Sequence, residues 1–231
     1  GGDVSITADD AITISGGLNI QAFTLGGTVG SLSFSAPAIR LFDQAAVTST
    51  TSSDASAGGI LFTTNTLTLM DGSIIRSNTE QGTGRGGVIL VDASNSVILS
   101  GGSTIQSNTT TTQGGPAGSV TVKANNLVSL SGTGTGLLSE SGSNTTIGTG
   151  DGGTITVQSN QVQITDSAVI SAKSNGTGNA GSVTIEGTAS SAQSVLIDGG
   201  VISTETDGGG AGGDIQINAT AIHLLKFASI R

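Results

Sequence analysis

The sequence predicts an all-β protein, specifically a right-handed parallel β-helix in which the chain winds into stacked coils of short strands. Three observations support this prediction. Of the 231 residues, 38 are glycine, 10% are charged and 2% are aromatic. One short apolar pattern recurs along the whole chain at a basic period of 28 residues. Each recurrence opens a unit containing three short segments in which apolar residues alternate with polar ones, which is typical of strands with one buried face.

The composition favours β structure with many turns over helix or disorder. Hydrophobic residues make up 35% of the chain, and the mean hydropathy is +0.19. A disordered linker of this glycine content would not carry so many Ile, Val and Leu residues. Glycine, Thr, Ser and Val are poor helix formers, and helical apolar spacing is missing.

The first strand of each unit follows a small pair, usually Gly-Gly or Ala-Gly, and reads apolar-x-apolar. The first apolar residues lie 28, 28, 28, 32, 35, 28 and 32 residues apart, so insertions of four or seven residues interrupt the period. The eight predicted inward pairs are Val4/Ile6, Leu32/Phe34, Ile60/Phe62, Val88/Leu90, Val120/Val122, Ile155/Val157, Val183/Ile185 and Ile215/Ile217.

The second strand repeats the alternation, and turn-forming residues flank it. Asparagine two residues before the strand indicates a tight corner with left-handed backbone, which asparagine tolerates. These asparagines are Asn65, Asn95, Asn126 and Asn160. The inward pairs are Ile12/Ile14, Ile39/Leu41, Leu67/Leu69, Val97/Leu99, Val128/Leu130, Val162/Ile164, Val195/Ile197 and Ile222/Leu224. Asp71-Gly72, Gly101-Gly102 and Gly199-Gly200 then predict a turn.

The third strand is shorter and runs into a Ser/Thr/Asn/Gly loop of variable length, as at 108–116 and 141–150. Its predicted centres are Ile20, Val47, Ile75, Ile105, Leu138, Ile170, Ile202 and Ile230. Eight coils stacked about 4.8 Å apart would form a rod roughly 40 Å long.

The residues between the inward pairs are expected to face solvent, and small hydroxyl side chains dominate among them. In the first strand they are Ser5, Ser33, Leu61, Ile89, Thr121, Thr156, Thr184 and Gln216. In the second they are Thr13, Arg40, Thr68, Ile98, Ser129, Gln163, Leu196 and His223. In the third they include Arg76, Gln106, Ser139, Ser171 and Ser203. No face gathers acids and bases, so we predict no catalytic residue, no metal site and no cofactor, and no ligand site is identified.

Two candidate sites have simpler interpretations. His223 occupies an outward slot between Ile222 and Leu224, where we expect a surface histidine stacked on Leu196. Asp9 and Asp10 are adjacent, so on a strand they would point to opposite faces, and we interpret them as turn residues.

A calcium-binding interpretation is also weak. The run from Gly209 to Asp214 matches the first six positions of the calcium-binding nonapeptide. The next apolar position falls on Gln216, the motif occurs once, and the period is 28 rather than nine. We therefore expect a loop here.

The composition also argues against several other kinds of site, partner and membrane segment. The absence of cysteine excludes disulfides and thiol chemistry. The net charge of −9 argues against nucleic acid as a partner. No run approaches the roughly 20 apolar residues of a transmembrane helix.

The repeated strings resemble the repeat region of filamentous-haemagglutinin-like exoproteins, of the cyanobacterial type, which two-partner systems secrete. The strings are Gly58-Gly59-Ile60-Leu61-Phe62, Asp71-Gly72-Ser73-Ile74-Ile75, Gly152-Gly153-Thr154-Ile155-Thr156-Val157 and Ala180-Gly181-Ser182-Val183-Thr184-Ile185. The resemblance implies a secreted, non-catalytic β-helical rod that acts in surface adhesion, a filament or an extracellular matrix. It also implies export through an outer-membrane transporter.

We expect residues 1–231 to form a single β-helix domain and an interior fragment of a longer protein. No Asn-Pro motif of that family's secretion domain and no cap is present. Adjacent repeats of the same or another copy, stacked end to end, and a cell-surface polysaccharide or protein receptor are the expected partners.

Two alternatives stay open. Parallel β-helices also host carbohydrate-active enzymes and polysaccharide-binding modules, but these need clustered acids and bases, and seven basic residues are scattered over eight coils. An ice-binding solenoid needs regular Thr-x-Thr ranks, which Ser, Gln, Leu and Arg interrupt here.

Overall fold

The computed structural model describes residues 2–110, 114–142 and 148–231, and their regular structure consists of strands without helix. The predicted variable loops at 108–116 and 141–150 lie partly outside the described residues. The strands are β1 (Val4–Thr7), β2 (Ala11–Ile14), β3 (Asn19–Thr24), β4 (Leu32–Leu41), β5 (Ala46–Ser52), β6 (Ile60–Leu69), β7 (Ile74–Gln81), β8 (Val88–Ser100), β9 (Thr104–Gln106), β10 (Ser119–Ser131), β11 (Gly136–Leu138), β12 (Thr154–Thr165), β13 (Val169–Ser171), β14 (Ser182–Glu186), β15 (Ala192–Asp198), β16 (Val201–Ser203), β17 (Ile215–Ile217), β18 (Ala219–Leu225) and β19 (Ser229–Ile230).

The strands stack in parallel as eight coils, which confirms the predicted parallel β-helix. The first sheet runs β1-β4-β6-β8-β10-β12-β14-β17, with β2, β15 and β18 pairing alongside. The second sheet runs β3-β5-β7-β9-β11-β13-β16-β19 and contains the third strand of every coil. In coils two to six the predicted first and second strands form one long strand, because the corner between them keeps extended backbone.

Aliphatic columns fill the interior, as the alternation predicts. Each inward residue of one coil lies on the equivalent residue of the next, so that Leu32 pairs with Ile60, and Ile155 with Val183. Phe34 and Phe62 stack with ring centroids 4.8 Å apart and planes 10° from parallel. The columns of the first and last coils contact one neighbouring coil only, and Ile222 and Leu224 of the last coil are half exposed.

The predicted register of the fourth coil is wrong by one residue. Ile89 and Val91, rather than Val88 and Leu90, point inward, because Ile89 pairs with Ile60 and Val91 pairs with Phe62. The segment Val88–Val91 is apolar at all four positions, so alternation alone does not distinguish the two registers. Stacking on both neighbouring coils decides between them, and Val88 is left 58% exposed.

The third strand corrects four further predictions. Leu137, not Leu138, is the inward residue of the fifth coil and pairs with Ile105 and Ile170. Ser139 was expected to face solvent but is fully buried in the interior. Ser171 and Ser203 keep their outward register, as Ser171 pairs with Leu138 and Ser203, yet both are buried because neighbouring charged side chains cover them.

A column of buried serines lies inside the coils beneath the third strand, where the sequence predicts only aliphatic packing. Ser77, Ser107 and Ser139 each donate a hydrogen bond to the carbonyl oxygen of a glycine in the returning loop, at 2.6, 2.6 and 2.8 Å. The acceptors are Gly58, Gly87 and Gly118. These bonds satisfy buried peptide carbonyls that would otherwise destabilise the fold.

The recurring glycine before each first strand forms a column in which, from Gly30 onward, a side chain has no room. A β-carbon on Gly118 would lie 1.9 Å from the carbonyl oxygen of Gly87, and one on Gly153 would lie 2.0 Å from that of Gly118. The members of the column are Gly2, Gly30, Gly58, Gly87, Gly118, Gly153, Gly181 and Gly213. The glycines therefore allow close contact between successive coils.

Left-handed backbone occurs after the second strand and not at the asparagine corner. Asp71 and Gly72 have φ of 57° and 72°, as the predicted turn requires, whereas none of the predicted corner asparagines has a positive φ. The asparagines act through their side chains instead, since Asn126 Nδ2 donates to Asn95 Oδ1 at 2.6 Å.

Candidate functional site on the outer face of the second sheet

The outer face of the second sheet brings together charged side chains from successive coils. Bridges join Thr109 to Ser141, Ser141 to Ser174 and Ser174 to Thr206. The residues that precede them are therefore stacked in the order Asn108, Glu140, Lys173 and Glu205. The register places a lysine between two glutamates that are far apart in the sequence.

Asparagine side chains bind successive coils of this column to one another. Asn78 Oδ1 accepts a hydrogen bond from the backbone nitrogen of Asn108 at 2.8 Å. Asn108 Oδ1 in turn accepts one from the backbone nitrogen of Glu140 at 2.8 Å. These bonds hold the backbone at Glu140 in a defined position on the face.

Lys173, Glu205 and Arg231 form a network of charges. Glu205 Oε2 lies 3.5 Å from Lys173 Nζ and 3.0 Å from Arg231 Nε. Ser203 donates to the same carboxylate oxygen at 3.0 Å. Glu140 accepts a short hydrogen bond from Ser171, the serine of the neighbouring coil.

The two glutamates respond differently to this environment. Burial raises the pKa of Glu140, and the hydrogen bond from Ser171 and the charge of Lys173 offset this only in part. Burial also opposes ionisation of Glu205, but the hydrogen bond from Ser203 and the charges of Arg231 and Lys173 outweigh it and lower the pKa of that carboxyl. The network therefore contains one carboxyl with a raised pKa and one with a lowered pKa.

A cavity of about 290 Å³ lies beside this network. It is lined by Glu140, Val169, Ser171, Lys173, Asn175, Val201, Ser203 and Arg231. Its lining contains hydrogen-bond donors and acceptors and both positive and negative side chains, so the cavity suits a polar ligand.

Sequence reasoning missed this site because Glu140, Lys173 and Glu205 lie 33 and 32 residues apart across loops of different length. The available signal was that each follows the inward residue of its third strand by three positions, at Leu137, Ile170 and Ile202.

The structure places the predicted candidate residues away from this network. His223 is exposed and pairs with Leu196, which itself pairs with Gln163, as expected. Asp9 and Asp10 lie at a bend before β2, and Asp9 lines a separate groove of about 510 Å³ at the corner between the first and second strands. The segment from Gly209 to Asp214 is a loop that enters β17.

Neither a metal-binding cluster nor a membrane-spanning helix occurs among the described residues. Among residues 2–110, 114–142 and 148–231, no group of three or more His, Asp or Glu side chains could hold a metal ion. No helix of the length and apolarity needed to cross a membrane occurs in the same part of the chain.

Comparisons with family models, with curated proteins and with solved structures find no match to this chain. The resemblance to filamentous-haemagglutinin-like exoproteins therefore rests on the repeated strings alone.

Proposed function

We propose that this chain is a non-catalytic, extracellular rod segment of a secreted exoprotein. It acts in adhesion, in a filament or in a matrix at the cell surface. The observation that carries the proposal is the parallel stacking of eight coils, which extends the outer walls along one axis. The resemblance of the repeated strings to filamentous-haemagglutinin-like exoproteins supports the same function, as well as export through an outer-membrane transporter.

The chemistry of the outer walls also supports a structural role. The first-strand wall of coils five to seven presents Thr121, Thr156 and Thr184 in register. On the second sheet, Glu205 is engaged by two cations and a serine. Hydroxyl walls and neutralised carboxylates suit weak, repeated contacts with a polar surface better than a single reaction.

The test is adhesion measured together with turnover. Beads coated with the purified chain are expected to bind cell-surface polysaccharide or whole cells, whereas beads coated with the heat-unfolded chain are not. The same preparation is expected to release no new reducing ends from a polysaccharide panel. Absence of bead binding, or depolymerisation of any panel member, would contradict the proposal.

A carbohydrate-active enzyme is the second candidate, and the raised pKa of Glu140 favours it. A carboxyl whose pKa is raised by burial is better suited to general acid catalysis than one with an ordinary pKa. Depolymerisation by the native chain that is lost in Glu140→Gln, but retained in Glu186→Gln, would establish this alternative.

A further inference from the structure

A second cavity opens on the outer face of the second sheet, over coils one to three and away from the charged network. Its volume is about 260 Å³. It is lined by Gln21, Ala22, Phe23, Thr48, Thr50, Arg76 and Glu80. The strands β3, β5 and β7 supply these residues in register, with Gln21 paired to Thr48 and Thr48 paired to Arg76.

Two polar groups on residues that line this cavity lack a hydrogen-bond partner among the described residues. They are the hydroxyl oxygen of Thr50 and the Nε of Arg76, and both atoms are buried. Thr50 as a residue is only 7% exposed. Buried polar groups without partners are rare because they lose their hydrogen bonds to water on folding. Both residues line one cavity, so a ligand that turns these side chains towards it can supply the missing bonds.

An aromatic ring lies at the same cavity. Phe23 is 46% exposed, although the chain has only five phenylalanines and no Trp or Tyr. Phe23 belongs to the same outward column as Thr50, since the two residues pair across neighbouring coils. The negative face of an aromatic ring attracts C–H groups, such as those on the apolar face of a pyranose ring.

The charged side chains of the cavity, Arg76 and Glu80, favour a neutral sugar over an acidic one. Arg76 Nη2 lies 3.8 Å from Glu80 Oε1, which is close enough to neutralise the charge but too long for a hydrogen bond. Both side chains therefore keep hydrogen-bonding capacity. Sugar hydroxyls donate and accept, so they can bond to Arg76, Thr50 and Glu80 together. The carboxylate of an acidic sugar only accepts hydrogen bonds, and the negative charge of Glu80 would repel it.

We propose that this cavity is a binding subsite for one neutral pyranose unit of a polysaccharide. Phe23 stacks on the sugar ring, Arg76 and Thr50 bond to its hydroxyls, and Glu80 accepts from one of them. The cavity is smaller than the roughly 300 Å³ at which pockets for drug-sized ligands begin, which suits a single ring. The proposal deepens the adhesive function and rests on it only for the source of the polysaccharide.

The test uses neutral hexaoses of glucose (cellohexaose and maltohexaose) and of mannose, with hexagalacturonate as the acidic comparison. Binding to the full chain is measured by saturation-transfer NMR. We expect at least one neutral hexaose to bind through a single ring. Phe23→Ala and Arg76→Met should each weaken that binding about tenfold, because each removes a main contact. Phe227→Ala, which removes an exposed phenylalanine from the last coil, should leave binding unchanged.

Phe23→Trp separates a binding role from a folding role, since a larger ring should preserve or strengthen stacking. Binding of hexagalacturonate alone, binding of no hexaose, or equal binding by the native chain and a folded Phe23→Ala variant would overturn the subsite. Failure of the proposed function is a different result, namely loss of bead adhesion or appearance of turnover, whether or not hexaoses bind.

Discussion

Non-glycine residues occupy left-handed backbone at the turn after the second strand in several coils. Asp43, Gln44, Asp166, Ser167, Lys226 and Phe227 all have φ between 45° and 70°. This region costs most residues with a β-carbon about 1–2 kcal/mol relative to right-handed backbone. The turn is retained because pairing of the strands on either side determines its path.

Gln44→Gly should stabilise the protein. Gln44 has a φ of 61°, and glycine adopts that conformation without the clash of a β-carbon. We expect a gain of about 1 kcal/mol in the free energy of unfolding, measured by urea denaturation. Gln44→Ala keeps the β-carbon and should gain nothing, so equal stability of the two variants would contradict this explanation.

Glu140→Gln should change how stability depends on pH. The pKa of Glu140 is raised in the folded protein, so its ionisation is less favourable there than in the unfolded chain. The native protein therefore loses stability as pH rises from about 4.5 towards the raised pKa. The melting temperature of Glu140→Gln, relative to that of the native chain, should increase between pH 4 and pH 7.

Glu205→Gln is the matched control with the opposite sign. The lowered pKa of Glu205 contributes stability that is present above its ordinary value of 4.5 and is lost as pH falls. This variant should melt below the native chain at pH 7, and the gap should close in acid. Parallel shifts of both variants would contradict the assignment of the two pKa directions.

At the scale of elements, three different kinds of interior contact hold the coils, and one of them, the serine bonds, is present in coils three to five. Aliphatic columns stack beneath the first and second strands, and buried serines bond to loop carbonyls beneath the third strand. The column glycines bring backbone into direct contact with backbone. The serine bonds lie within one coil, whereas the aliphatic and glycine contacts exist only when a neighbouring coil is present, because a single coil contains one member of each of those columns.

Gly118→Ala tests the glycine column. Its β-carbon would lie 1.9 Å from the carbonyl oxygen of Gly87 and 2.2 Å from Ser107 Oγ, so the coils would have to separate. We expect a loss of about 3 kcal/mol in the free energy of unfolding, measured by urea denaturation. Gly209→Ala is the control, because no heavy atom lies within 4 Å of its added β-carbon. A loss below about 0.5 kcal/mol in Gly118→Ala would contradict the steric argument.

At the scale of the whole molecule, stability comes from burial and backbone pairing much more than from charge. Five ion pairs join side chains within the described residues, and each includes a partner that is more than a third exposed. Exposed pairs contribute about 0–1 kcal/mol each. The net charge of −9 adds a repulsion that these pairs do not cancel.

Salt should therefore change the melting temperature little. Raising NaCl from about 0.05 M to about 1 M screens both the ion pairs and the repulsion between acidic groups. We expect a change below about 4 °C, which corresponds to roughly 1 kcal/mol for a domain of this size. The melting temperature is measured by calorimetry. A fall of about 10 °C or more would indicate that ion pairs dominate the stability.

Alternating apolar residues and recurring glycine determined the coil architecture, since period-2 patterning and repeat length are local properties. The sequence also contained the correct register of the fourth coil, because Gly87 precedes Ile89 as Gly58 precedes Ile60. That signal was obscured by four consecutive apolar residues. Only the tertiary structure decided that Leu137 rather than Leu138 points inward, that Ser139 is buried, and that Glu140, Lys173 and Glu205 meet. These outcomes depend on which residues of different coils come into register, and loops of unequal length hide that pairing from any reading of one repeat at a time.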